Sequence, residues 1–142
     1  MVTEALRKKW RENWLFSIFA LTCLNYQKRV WIEAAGKNII DSFREAKCIY
    51  LEDLHIGEAY AEPLAEELIS PEEYELLANW HKALTAYHSP VNTDSGDKAI
   101  VEDVRWRAVL DCGVIARRNL KIYLSKAERA YLEEIENSFT GR

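Results

Sequence analysis

The chain has 142 residues, 49% of them hydrophobic and 30% charged, with a net charge of −4 at neutral pH. That length is enough to bury a core without disulfides or metal, and a net negative charge speaks against a nucleic-acid-binding domain. Five glycines and three prolines leave little material for turns, and Leu, Ala, Glu, Lys and Arg favour helix. The expectation is an all-α, single-domain antiparallel helical bundle of about five helices over residues 1–142.

Thr3 followed by Glu4 opens a first helix, on which Trp10, Trp14, Ile18 and Leu21 recur at three- and four-residue spacing. From Trp14 to Leu24 the run is apolar nearly all round, which predicts a central helix. The run is too short to span a bilayer, and Glu4 and Glu12 dilute the basic stretch before it, so neither a membrane segment nor a signal peptide is expected and the predicted location is cytoplasmic. The cluster "RKKWRENW" interleaves cations with Trp10 and Trp14. Because those tryptophans share core spacing, it reads as a solvated basic face beside a buried one, not as a nucleic-acid reader.

A second helix is expected over roughly Lys28 to Tyr50, with Ile32, Gly36, Ile39, Phe43, Ala46 and Tyr50 in near-heptad order. Gly57 and Pro63 then interrupt the pattern, and Pro63 fits the first turn of a short helix through Leu68. Ser70, Pro71 and Glu73 form a capping box with proline at the first helical position, starting a helix to about Tyr87. The polar loop His88 to Asp97 follows, and Asp97 caps a long helix to about Leu124. On that helix Val101, Val104, Ala108, Cys112, Ile115 and Ile122 are expected to face the core. Trp106, Leu110 and Val114 form a second stripe on its back, covered by central packing or by self-association in a homodimer. Ser125 and Glu128 make a second capping box that starts a final helix through Ile135.

Chemistry has few footholds in this pattern. His81 and His88 share a sector with Leu77 and Leu84 and stand about 10 Å apart along a helix, so both are expected to be structural residues on the core side. Glu52 and His55 have Glu-x-x-His spacing, but no second copy follows. A metal-dependent helical-bundle enzyme using His55, His81 and His88 with Glu52 is the alternative that tertiary structure would have to close. Cys23, Cys48 and Cys112 are odd in number and lack a CxxC pattern, so they are expected to be reduced core residues. No GxSxG, GxGxxG or GxxxxGK motif occurs. The expectation is a non-enzymatic protein with no metal and no cofactor.

Charge is the most uneven feature of the chain. Cys48 to Glu75 holds nine acidic residues and no Lys or Arg, with Tyr50, Tyr60 and Tyr74 among them. Like charges so close together weaken a fold by self-repulsion, whereas carboxylates steer a basic partner and tyrosines anchor it. Glu52, Asp53, Glu58, Tyr60, Glu62, Glu66, Glu67 and Tyr74 are therefore the expected partner-binding residues. The expected function is a small acidic inhibitor or immunity-type protein that engages a basic protein, such as a nuclease-type toxin. An assembly or adaptor subunit pairing through Trp106, Leu110 and Val114 is a further alternative.

Overall fold

The computed structural model describes residues 2–33, 41–90 and 96–139. Among these residues every regular element is helical: α1 (Glu4–Thr22), α2 (Leu24–Tyr26), α3 (Phe43–Cys48), α4 (Ala61–Ala65), α5 (Pro71–Ala86), α6 (Gly96–Val101), α7 (Val104–Leu120) and α8 (Lys126–Ser138). Wide π-type turns cover Gln27–Glu33 and Ile49–Asp53, and a 3₁₀ turn at Lys121–Tyr123 extends α7. The architecture is an all-α helical bundle.

Among the described residues eight helices stand where about five were expected: Cys23 leaves the helical conformation (φ −117°, ψ 108°) between α1 and α2, and two further predicted helices are interrupted at short polar side chains that cap. Asp41 and Ser42 are non-helical, and Ser42 Oγ accepts the Glu45 N–H at 3.1 Å to start α3. Gly36 and Ile39, expected on the second helix, lie outside the described residues. Asp103 leaves the helical conformation (φ −76°, ψ 125°) and its carboxylate accepts the Arg105 N–H at 3.0 Å, which separates α6 from α7. Such side chains compete with the helical backbone for its own donors, so a run with good periodicity still breaks at them.

The expected central helix is present. In α1 every residue from Trp14 to Thr22 except Phe16 is buried, and the core it joins draws on α3, α5, α7 and α8. Both capping boxes form as read: Ser70 with Glu73 opens α5, and Ser125 with Glu128 opens α8. Cys23, Cys48 and Cys112 are free thiols of intermediate burial, so none is a fully buried core residue.

Val101, at the end of α6, is buried as expected and Cys112 is half-buried against the core, but the rest of the expected core stripe is reversed on α7. Trp106 and Leu110 are buried and Val114 is half-buried, whereas Val104, Ala108, Ile115 and Ile122 are exposed, Val104 by 79% and Ile122 by 73%. Part of the reason is steric. Gly113 lies on the Trp106 face, and a Cβ there would collide with Thr22 of α1 and approach Trp80 Nε1 of α5 to 2.8 Å, so only this face lets three helices meet closely. Trp106 is anchored by donating from Nε1 to Gln27 Oε1 at 3.0 Å, while Gln27 Nε2 donates to Ala20 O at 3.0 Å. Phe43 and Tyr87 pack edge-on or tilted against the Trp106 ring, with centroids 5.2 and 5.1 Å away.

Gly113→Ala should destabilise the protein by about 1–3 kcal/mol through overpacking against Thr22 and Trp80, read as a lower urea midpoint. An unchanged midpoint would show that the α1–α5–α7 crossing has slack.

Candidate functional site

The acidic segment is held to the first half of α1 by four side chains on one helical face. Arg7, Trp10, Arg11 and Trp14 follow at i, i+3, i+4 and i+7. Arg7 Nε donates to Glu67 O at 3.2 Å, Trp10 Nε1 to Leu54 O at 3.2 Å, Arg11 Nη1 to Leu68 O at 2.9 Å, and Trp14 Nε1 to Tyr60 Oη at 3.0 Å. The cluster read as a solvated basic face is thus partly internal, and Arg11 is 3% exposed.

Arg11 uses all five of its N–H donors. Nη1 and Nη2 take Glu73 in a fork at 3.0 and 2.7 Å, Nε and Nη2 take Glu128 at 2.6 and 3.2 Å, and Nη1 also takes the Leu68 carbonyl. Burial alone would lower the guanidinium's affinity for its proton, but the hydrogen bonds and charges of Glu73 and Glu128 outweigh it and raise its pKa. For Glu128 burial likewise opposes ionisation, and the Arg11 hydrogen bond and charge prevail to hold its pKa below the usual carboxylate range.

A second set of polar groups supports the segment from beneath. His81 Nε2 lies 3.1 and 2.9 Å from the carbonyls of Gly57 and Glu58, so it carries the proton, and Nδ1 accepts from Tyr50 Oη at 2.9 Å. With its one proton committed to His81, Tyr50 accepts from Tyr60 Oη at 2.6 Å, and Tyr60 accepts from Trp14 Nε1. Every polar atom in this chain of groups is satisfied in one direction only. Burial raises the pKa of both tyrosines and lowers that of His81, so the neutral forms hold the network together.

Above this network the backbone is strained. His55, Tyr60 and Glu67 each adopt φ 58°, and Gly57 has φ 61°. These are the positive-φ positions among the described residues, and all fall within the acidic segment. The left-handed conformation is unfavourable for residues with a Cβ and persists where surroundings over-determine it. Here the bonds from Arg7, Trp10, Trp14 and His81 supply that determination.

Of the nine acidic residues, Glu52, Asp53, Glu58, Glu62, Glu66, Glu67, Glu72 and Glu75 are exposed, and none has a Lys or Arg partner among the described residues. Glu62 lies 4.0 Å from His55. Glu73 is buried and neutralised by Arg11. Tyr74 is half-buried, with its ring 5.5 Å from that of Tyr60. Tyr60, expected as a surface anchor, is fully enclosed and cannot touch a partner in the folded state; its hydroxyl belongs to the internal network. Beside the segment, an open groove of about 520 Å³ runs between α1 and residues 41–54, with Phe16 and Ile49 on its walls and Asp41 and Asp53 at its edge.

The three histidines are not brought together. His81 is buried as expected, with both ring nitrogens engaged. His88 is exposed, contrary to the expectation of a core-side residue, because α5 ends at Ala86 and Tyr87 turns the chain to extended backbone. His55 is exposed as well. Among the described residues no group of three or more His, Cys, Asp or Glu could hold a metal ion. Cys48 Sγ donates to Glu52 at 3.3 Å, and that bond, with burial and neighbouring carboxylates, pushes its pKa up and makes it a poor nucleophile. No described helix is long and apolar enough to cross a membrane.

Comparison with known proteins finds no matching family model, no matching curated protein and no matching solved structure. Arg11 and Tyr50, which organise this surface, were not among the candidate site residues read from the sequence, although Tyr50 was expected on a helical apolar stripe and Arg11 in the basic cluster. The available signal was the spacing of Arg7, Trp10, Arg11 and Trp14, together with two capping boxes whose glutamates each lacked a named cation.

Arg11→Met should cost about 3–5 kcal/mol in urea unfolding, because Glu73 is left charged and buried without a partner. Adding Glu73→Gln should recover part of that loss, and failure to recover any would show that the charge is not the cause.

His81 gives a pH dependence of defined sign. Its folded pKa lies below the ordinary 6.5 of the unfolded chain, so the native state binds fewer protons and stability falls as pH drops below about 6.5. The stability difference between wild type and His81→Gln should shrink from pH 7.5 toward pH 5, and a difference independent of pH would exclude a buried neutral imidazole.

Proposed function

We propose that the protein is a non-enzymatic binding protein whose Cys48 to Glu75 segment engages a basic protein partner, in the manner of an inhibitor or immunity protein that covers a cationic groove. The observation that carries this reading is the set of eight exposed carboxylates, none paired with a Lys or Arg among the described residues, on and beside a segment whose positive-φ backbone is held by hydrogen bonds from α1 and His81. An internal role for the charges would predict ion pairs with the basic N-terminal helix, yet Arg7 reaches only the Glu67 carbonyl and Arg11 takes Glu73. Exposed carboxylates in a fixed arrangement present a template for Lys and Arg while contributing self-repulsion to the fold.

With Tyr60 internal, the anchoring contact falls to the partner. The groove beside Phe16 and Ile49 accepts the aliphatic stem of a Lys or Arg, with exposed Asp53 at hand for its charge, while Asp41 Oδ2 is held by Tyr26 Oη and Trp31 Nε1. Packing of that stem along the groove supplies residence time, and the surrounding carboxylates supply encounter rate. Three unpaired, half-buried thiols fit a reducing compartment, which favours the cytoplasm.

Cross-linking capture from native lysate, followed by kinetics with the captured protein, tests the reading. The partner should carry a basic surface, associate more slowly as salt rises, and lose on-rate at least severalfold with Glu58→Gln/Glu62→Gln. Asp53→Asn should instead raise the off-rate. A partner bound equally by all three forms would remove the acidic segment from the interface.

A further inference from the structure

We propose that the exposed face of α7 pairs with the same face of a second copy of this chain, antiparallel, about a two-fold axis. The face consists of Val104, Ala108, Asp111, Ile115, Arg118 and Ile122, all six exposed. Their spacing is four, three, four, three and four, which is the seam of a two-stranded coiled coil sustained over the full length of α7 and its 3₁₀ extension. This seam differs from the Trp106, Leu110 and Val114 stripe, which is taken up inside the bundle.

The order of residues along the seam selects the occupant. In an antiparallel pair with Asp111 opposite Ile115 of the second copy, Val104 meets Ile122 and Ala108 meets Arg118. Both ends of the seam then close with apolar contacts. Arg118 of the second copy lies one layer, about 4.5 Å along the axis, from Asp111, within reach of an ion pair, and Ala108 is small enough for its stem to lie across. Two-fold symmetry makes the same pair twice. Neither Asp111 nor Arg118 has an ion-pair partner among the described residues of its own chain, whereas Arg105, Arg117 and Lys121 nearby all do. Parallel pairing would set Asp111 on Asp111 and Arg118 on Arg118, so the charges also fix direction. A seam on one helix is at the small end of stable interfaces, and the dimer is accordingly concentration-dependent.

Sedimentation velocity over a concentration range on the order of a hundredfold reads this directly. Wild type should pass from monomer to dimer. Asp111→Arg and Arg118→Asp should each weaken the dimer at least about tenfold, since each sets like charges across the seam. An equimolar mixture of the two variants should associate again, and the chain carrying both changes should dimerise with itself. Both positions are exposed, and far-UV circular dichroism with urea unfolding confirms that each variant is folded before association is scored. A wild type that stays monomeric throughout the range, or a dimer indifferent to the charge swaps, overturns the proposal and leaves the face to a different partner.

Discussion

The guanidinium of Arg11 is the constraint on which the other contacts rest. It is one cation surrounded by the two glutamates that also close the capping boxes of α5 and α8, so each carboxylate caps its own helix and grips α1 at once. Glu73 Oε1 accepts from the Ser70 N–H at 2.9 Å and Glu128 Oε1 from the Ser125 N–H at 3.2 Å. The starting points of two helices are thereby fixed against the middle of a third. Coulombic gain is offset by the cost of removing three charges from water, so what the triad contributes is position more than net stability. Its partners leave few alternatives, because any shift of α5 or α8 by one turn would break a fork on Arg11 and uncap a helix together.

That placement determines what the acidic segment can do. Leu68 and Glu67, at its C-terminal end, are tied to Arg11 and Arg7, and Leu54 and Tyr60 are tied to the two tryptophans on the same face of α1. Between Cys48 and the start of α5 the segment has only short helical pieces, so its order draws on these donors and on His81. Carboxylates on a loosely held loop would disperse to relieve their repulsion, and a partner would have to pay for ordering them. Held by the backbone, they remain close together before any partner arrives. The strain at His55, Tyr60 and Glu67 is the local cost of that arrangement.

What was legible in the sequence is what depends on neighbours in the chain. The capping boxes at Ser70 and Ser125 and the all-round apolar character of α1 were readable because three to eight residues decide them. His81 was readable as a core residue by its sector, but His88 was not, since the helix ends two residues before it and the wheel no longer applies. Of the second expected helix, Phe43, Ala46 and Tyr50 are buried in the core at the expected spacing, and Ile32 is half-buried beside a wide turn that ends the regular helix there. Tyr60 has acidic neighbours in the sequence and is nonetheless enclosed, with its hydroxyl bonded to Trp14 and Tyr50, partners 46 and 10 positions away. The role of Arg11 joins residues 57 to 117 positions apart, a distance over which no local pattern carries information.

The reversal of α7 shows how the same physics chooses an inside. Both of its faces carry apolar residues at heptad spacing, and counting methyl groups does not separate them. Polar content does. The outer face contains Asp111 and Arg118, and placing it in the core would bury two charges separated by seven residues on one helix, too far apart to satisfy each other. Arg11 is tolerated inside only because five acceptors converge on it; no such set faces Arg118. The inner face holds Trp106, whose one donor meets Gln27, and Gly113, whose missing side chain admits Trp80. Its remaining imperfection is the Trp80 indole N–H, buried against Gly113 without a hydrogen-bond partner among the described residues. One unmade hydrogen bond costs about 1–3 kcal/mol, less than an unpaired guanidinium, and it is offset by the close approach of three helices that the glycine allows. The face that goes inside is the one whose polar atoms can be satisfied there, and the other is left to water or to a surface that presents the complementary charges.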